Sequence, residues 1–156
     1  MKWKVLLLAL LLGIQTLAIA GLNEGMTAFE AKDYATALKE FLPLANKGNA
    51  QAQFNLGLMY ANGVGVPKDV KQGVDWYRKA AEQGNAGTQN QLGNMYREGR
   101  GVPNDEKQAV AWYRKAAEQG YADAQTNLGV MYEKGTGVPK NEKQAVDWYR
   151  KAAEQG

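Results

Sequence analysis

The chain has 156 residues, 19 Lys and Arg against 16 Asp and Glu, and neither cysteine nor histidine. Those two absences exclude disulfide staples, thiol nucleophiles, Cys/His zinc sites and every histidine-based acid–base arrangement, so packing alone must supply stability. The charges are balanced and unclustered, which leaves no electrostatic footprint for nucleic acid or anionic lipid.

In chain order, residues 1–20 read as a secretory signal peptide. Met1-Lys2-Trp3-Lys4 is a basic start, Val5 to Leu12 an apolar run, and Ala18-Ile19-Ala20 an A-x-A site before Gly21. The apolar stretch from Val5 to Ala20 is interrupted by Gln15 and Thr16 and falls short of the ~20 residues that a bilayer span needs. Cleavage after Ala20 is therefore expected, with a retained anchor as the alternative. The implied address is periplasmic or secreted, with no membrane attachment after cleavage. Without Lys2 and Lys4, 17 basic residues face 16 acidic ones, so the net charge falls to +1.

Residues 21–47 predict a helical hairpin. Ala28 and Phe29 mark one helix, Ala37, Leu38, Phe41, Leu42 and Ala45 the next, and Lys32-Asp33 the turn. Pro43 predicts a kink or an early end of the second helix. The hairpin resembles a diverged tetratricopeptide unit serving as an N-terminal cap.

Beyond it the chain has a fixed period. Gly48, Gly84, Gly120 and Gly156 are 36 residues apart, and 22 of the 36 positions are identical in all three copies, 48–83, 84–119 and 120–156. Such a period means a stacked array in which no unit buries its apolar face alone. In each unit a first helix, A, shows Ala50, Gln53, Leu56, Gly57 and Tyr60 at helical spacing. Gly63 and Gly65 break it, and Val66-Pro67 starts an extended connector. Asp69/Gln72, Asp105/Gln108 and Asn141/Gln144 have capping-box spacing. The second helix, B, runs from about Val70 to Gln83 and stops at Gly84, which suits a left-handed C′ position.

Helix B repeats Val74, Trp76, Tyr77, Ala80 and Ala81, a broad face for packing on both its own helix A and the next unit. The pairs Trp76-Tyr77, Trp112-Tyr113 and Trp148-Tyr149 read as inter-helix core rather than a sugar-stacking ladder. Gly57, Gly93 and Gly129 lie inside helix A, where glycine costs roughly 1 kcal/mol; their recurrence predicts a contact too close for a Cβ. Gly73, where the other copies have Ala109 and Ala145, predicts a looser first helix B. Arg78, Lys79 and Glu82 read as a solvated ion-pair face.

The pattern LGxMYxxGxGVPxDxxQAVxWYRKAAEQG, as in residues 92–120, resembles the Sel1-like repeat family over residues 48–156. Those are helical hairpins related to tetratricopeptide repeats with a longer, glycine-containing loop. The resemblance implies an all-α fold, a right-handed α–α superhelix of hairpins, and a protein-interaction role.

Positions that vary between the copies form a separate stripe on helix A: Gln51, Phe54, Leu58, Ala61; Gly87, Asn90, Asn94, Arg97; Asp123, Thr126, Val130, Glu133. In the related solenoids helix A lines the concave surface, so this stripe is the candidate groove for a protein or peptide partner. Drift on a solvent face is the alternative reading. Beyond the last helix B no helix follows, so Val146, Trp148 and Tyr149 are expected to form an apolar end-face open to a partner or a second copy. No catalytic constellation breaks the repeat symmetry, and GxGVP lacks the Lys-Ser/Thr of a phosphate loop. No enzyme activity, cofactor or metal is expected. Two other functions stay open: an immunity or inhibitor protein for a toxic envelope enzyme, and the β-lactamase-like, penicillin-binding activity described for cysteine-rich relatives. That activity depends on a cysteine in each repeat, which this chain lacks.

Overall fold

Eight helices follow one another among the described residues: α1 (18–30), α2 (Tyr34–Asn46), α3 (Ala50–Asn62), α4 (Val70–Glu82), α5 (Ala86–Glu98), α6 (Glu106–Glu118), α7 (Ala122–Lys134) and α8 (Glu142–Ala153). This is a computed structural model that describes residue 16 and residues 18–155; most of the expected leader lies outside the described residues. No strand occurs among the described residues. From α2 onward each helix packs on the next in sequence, which is the arrangement of an α-solenoid of hairpins.

Local chemistry sets the helix ends. Asp69, Asp105 and Asn141 accept from the backbone N–H of Gln72, Gln108 and Gln144 at 2.9, 3.0 and 3.0 Å. The reciprocal half of the expected capping box is not made. The N–H of each cap donates instead to the carbonyl of Tyr60, Tyr96 or Tyr132, at 2.8, 3.0 and 2.9 Å, and ties the start of helix B to the end of helix A. Gly63, Gly99 and Gly135 close the A helices at φ 72, 67 and 71°, where a side chain would be strained. Pro43 does not end α2 early. Its ring is exposed in the last turn, and Lys47 N–H donates to the Pro43 carbonyl at 3.2 Å, so only one helical bond is lost.

Within each hairpin the predicted close approach is present. A Cβ on Gly57, Gly93 or Gly129 would lie 2.7, 2.6 and 2.6 Å from the ring of Tyr77, Tyr113 or Tyr149. Gly73 corrects the reading made from propensity. A Cβ there would lie 2.8 Å from Ala61 N and 2.9 Å from the Gly57 carbonyl, so the small pair lets α3 and α4 close up rather than loosen. The second glycine of each loop is also a spacer: Gly101 sits against the Val70 backbone and Gly65 against Tyr34, both at the start of the preceding helix B.

Successive hairpins are joined by hydrogen bonds that recur with the period. Gln53, Gln89 and Gln125 are buried and donate to the carbonyls of Ala45, Ala81 and Ala117 at 3.0, 3.0 and 3.1 Å. Within its own hairpin each accepts in turn from Gln83, Gln119 or Gln155 at 2.7–2.8 Å. Arg78 reaches the Tyr96 hydroxyl at 3.1 Å and Arg114 the Tyr132 hydroxyl at 2.7 Å. The expected ion-pair face is thus corrected. Arg78 pairs with Asp75 rather than Glu82, and Lys79, Lys115 and Lys151 lie over Trp76, Trp112 and Trp148 at 4.0, 4.0 and 4.2 Å.

The leading hairpin follows the same plan. Asp33 caps α2 36 residues before Asp69, and Gly25 meets the Phe41 ring as Gly57 meets Tyr77. The Gly-to-ring spacing is four residues shorter, which is the shortening of the loop.

Candidate groove on the A helices

The stripe of varying residues faces a row of recesses, one at each junction between hairpins. Gln51, Phe54 and Leu58 of α3 face Asn90 and Asn94 of α5 across a recess of about 560 Å³. Asn90, Asn94 and Arg97 then face Thr126 of α7 across a second, of about 330 Å³. Val130 and Glu133 line neither; Val130 is half-buried, and exposed Glu133 accepts from the Tyr149 hydroxyl at 2.8 Å.

A third recess, about 60 Å³, lies between α1 and α3 and is lined by Met26, Phe29, Glu30, Phe41 and Asn55. Sequence reading missed it because the shortened loop hides the register. With Gly25 aligned to Gly57, Ile19, Leu22 and Met26 of α1 take the places of Gln51, Phe54 and Leu58. Ile19 falls within the leader expected to be cleaved after Ala20, whereas Met26 lies beyond it and is exposed, so the apolar end of the groove extends onto α1. The Asn55 amide nitrogen is buried there without a hydrogen-bond partner.

In each hairpin at least one varying residue is set against the invariant tyrosine. The Phe54 ring is tilted against Tyr77 with centroids 5.6 Å apart. Asn94 accepts from the Tyr113 hydroxyl at 2.7 Å, and the Arg97 guanidinium lies 6.0 Å from that ring. Burial pushes the Tyr77 and Tyr113 hydroxyls up to about 12, against the pull of Arg100 and Arg97 respectively. Both therefore stay neutral donors at physiological pH. Asn127 donates to Asn90 at 2.9 Å, linking the second and third A helices across the groove.

The expected end-face is more open than its inner counterparts. Val146 is 54% exposed, whereas Val74 is 0% and Val110 3%. Trp148 and Tyr149 are half-buried, the first under Lys151 and the second bonded to Glu133. Among the described residues no acidic, His or Cys cluster is arranged to hold a metal, and no helix is long and apolar enough to cross a membrane.

The sequence profile of the Sel1 repeat matches residues 50–85, 86–121 and 122–156. The chain belongs to the Sel1 repeat family. It is similar to the crystal structure of a protective antigen present in uropathogenic Escherichia coli strains, which displays an SLR fold. Identity is 44% and the TM-score 0.86, over 89% of this chain and 31% of that one. A Sel1 repeat protein from Oxalobacter formigenes is 42% identical with a TM-score of 0.80, over 85% and 54% of the two chains. Cysteine-rich protein B of Helicobacter pylori is 27% identical with a TM-score of 0.62, over 80% and 89%. No curated protein matches the sequence. This Sel1-like chain spans about a third of the first of these structures and about half of the second. Its fold is the Sel1/tetratricopeptide protein-interaction solenoid, without catalytic clusters among the described residues.

Proposed function

We propose that this Sel1-like chain is an exported binding module that holds an extended segment of another protein along its A-helix groove. The observation that carries this reading is the alignment of the varying residues with the inter-hairpin recesses. Invariant positions hold the hairpins together, while Phe54, Leu58, Asn90, Asn94, Arg97 and Thr126 line the open spaces. A surface graded from apolar α1 and α3 to polar α5 and α7 suits an extended chain with an apolar and a polar end. Export rests on the basic, apolar and A-x-A parts of residues 1–20. The description of its 44% identical relative as a protective antigen agrees with an exposed location.

Two measurements test it. Cross-linked capture from the native envelope extract is compared between the wild type and a variant carrying Phe54→Ala, Asn94→Ala and Arg97→Ala together. Loss of the captured protein with retained helicity supports the groove; equal recovery refutes it. Mass spectrometry of the exported protein is expected to give Gly21 as its first residue, and a full-length species confined to the cytoplasm refutes export.

A further inference from the structure

The recess between α3 and α5 carries a more particular chemistry, which deepens the groove function and rests on it. One side is apolar, where Phe54 and Leu58 meet the Tyr77 ring. The facing side carries carboxamides of α5. Among them Asn90 is only 8% exposed. Its oxygen accepts from Asn127, but its amide nitrogen has no hydrogen-bond partner among the described residues. Among the described residues only the Asn55 amide nitrogen is both buried and unpartnered, so the Asn90 nitrogen is a solvent-reachable donor on the recess wall, free to meet an outside acceptor. The repeat does not require asparagine there, since the matching positions hold Phe54 and Thr126.

Charge adds a second constraint. Asp123 is the charged residue lining this recess; it is exposed and has no ion-pair partner among the described residues. The matching positions, Gln51 and Gly87, are neutral. A volume of about 560 Å³ lies within the ~300–1,000 Å³ of sites that enclose small ligands; it takes a few side chains, not a folded domain.

We propose that this recess binds an extended peptide in which an aliphatic or aromatic side chain rests on Phe54, Leu58 and Tyr77, a main-chain carbonyl accepts from the Asn90 amide nitrogen, and a nearby Lys or Arg pairs with Asp123. A peptide supplies all three partners from consecutive residues. A neutral oligosaccharide also suits amides beside aromatic rings, but it leaves the Asp123 carboxylate unanswered.

The test is a positional library of immobilised nine-residue peptides probed with the purified protein, with neutral oligosaccharides as a parallel array. Selected peptides should combine one apolar residue with a Lys or Arg a few positions away. The best of them should bind roughly tenfold more weakly to Asn90→Ala and to Asp123→Lys. Replacing the peptide's basic residue by Glu should restore binding to Asp123→Lys, a rescue that a merely unfolded variant does not give. Selected peptides without a basic residue, or no rescue by the charge exchange, overturn the proposal. If such peptides still weaken with Leu58→Ala and Arg97→Ala, the groove reading stands and this recess chemistry alone falls. Peptides indifferent to every substitution on the stripe, or retention of oligosaccharides and no peptide, overturn both.

Discussion

Replacing Gly93 by alanine should destabilise the protein, although alanine is the better helix former. Two effects of opposite sign meet at this position. Relief of glycine's backbone freedom in α5 contributes roughly 1 kcal/mol in favour of the variant. Against it, the new Cβ would lie 2.6 Å from both Tyr113 Cδ1 and Cε1 and 3.2 Å from Cζ. The ring has little room to retreat. Tyr113 is fully buried, packed with Val110, Ala117, Leu128 and Met131, and its hydroxyl is held by Asn94 at 2.7 Å. Overpacking of this kind typically costs about 1–3 kcal/mol, and more where neighbours do not yield. A net loss of about 1–2 kcal/mol is therefore expected, read as a lower urea midpoint by circular dichroism. The same substitution made in a Tyr113→Ala background should change sign, because the obstructing ring is gone and only the gain in helix propensity remains. A Gly93→Ala protein more stable than the wild type, or a cycle without that reversal, would refute the packing argument.

Gly87→Ala, also in α5, is expected to do the opposite. Its Cβ would sit 3.5 Å from Asn85 Oδ1, an ordinary contact, so a gain of about 0.5–1 kcal/mol should appear in the same assay, and a loss would contradict it. Gln89→Ala removes both the bond to the Ala81 carbonyl and the acceptor for Gln119; a loss of about 1–3 kcal/mol is expected, and a neutral result would show that the glutamine bonds do not fasten the hairpins. Alkaline titration tests the buried tyrosines. Tyr77 and Tyr113 are raised to about 12 by burial from an ordinary value near ~10. Their neutral forms are favoured by folding, so their contribution is fully present below pH ~10 and is lost as pH rises through about 12. Phenolate absorbance should show a late-ionising class that appears together with loss of helicity. Ionisation of all eight tyrosines near pH ~10 with the helices intact would rule this out.

The repeat-by-repeat plan was legible because its signals are local and stated three times. Gly84 and Gly120 punctuate the helices, Asp69 and Asp105 start them, and the tyrosine after each tryptophan marks the buried face. What escaped reading depends on partners brought together only by packing. Gly73 reads as a weak helix residue until Ala61 is seen against it. Gln53 and Gln72 are the same residue on neighbouring helices, yet one is buried against Ala45 and the other is exposed; spacing alone does not separate them. The stripe on helix A was found from its variability, but variability does not reveal that the open space lies between hairpins. That is why Gln51, Phe54, Leu58, Asn90 and Asn94 share a recess while Val130 and Glu133 do not. The contribution of α1 was hidden by a loop four residues shorter than the rest.

The repeated and the varying residues divide the packing of the frame from the lining of the recesses. The contacts that join hairpins use Gln89, Arg78 and Tyr96, and those that close each hairpin use Gln119 and the glycine–tyrosine pairs, all at positions that recur unchanged. The residues of the stripe differ in every copy, and in each hairpin one of them touches the repeated tyrosine. Phe54 meets that ring with a tilted ring of its own, while Asn94 and Glu133 each accept a hydrogen bond from the hydroxyl. A tyrosine presents both an apolar ring and a hydroxyl donor, so it accommodates all three without a change of backbone. Changes on the stripe therefore alter the lining of the recesses while the repeated contacts between hairpins stay in place, which is how a near-exact repeat carries a surface that is not repeated.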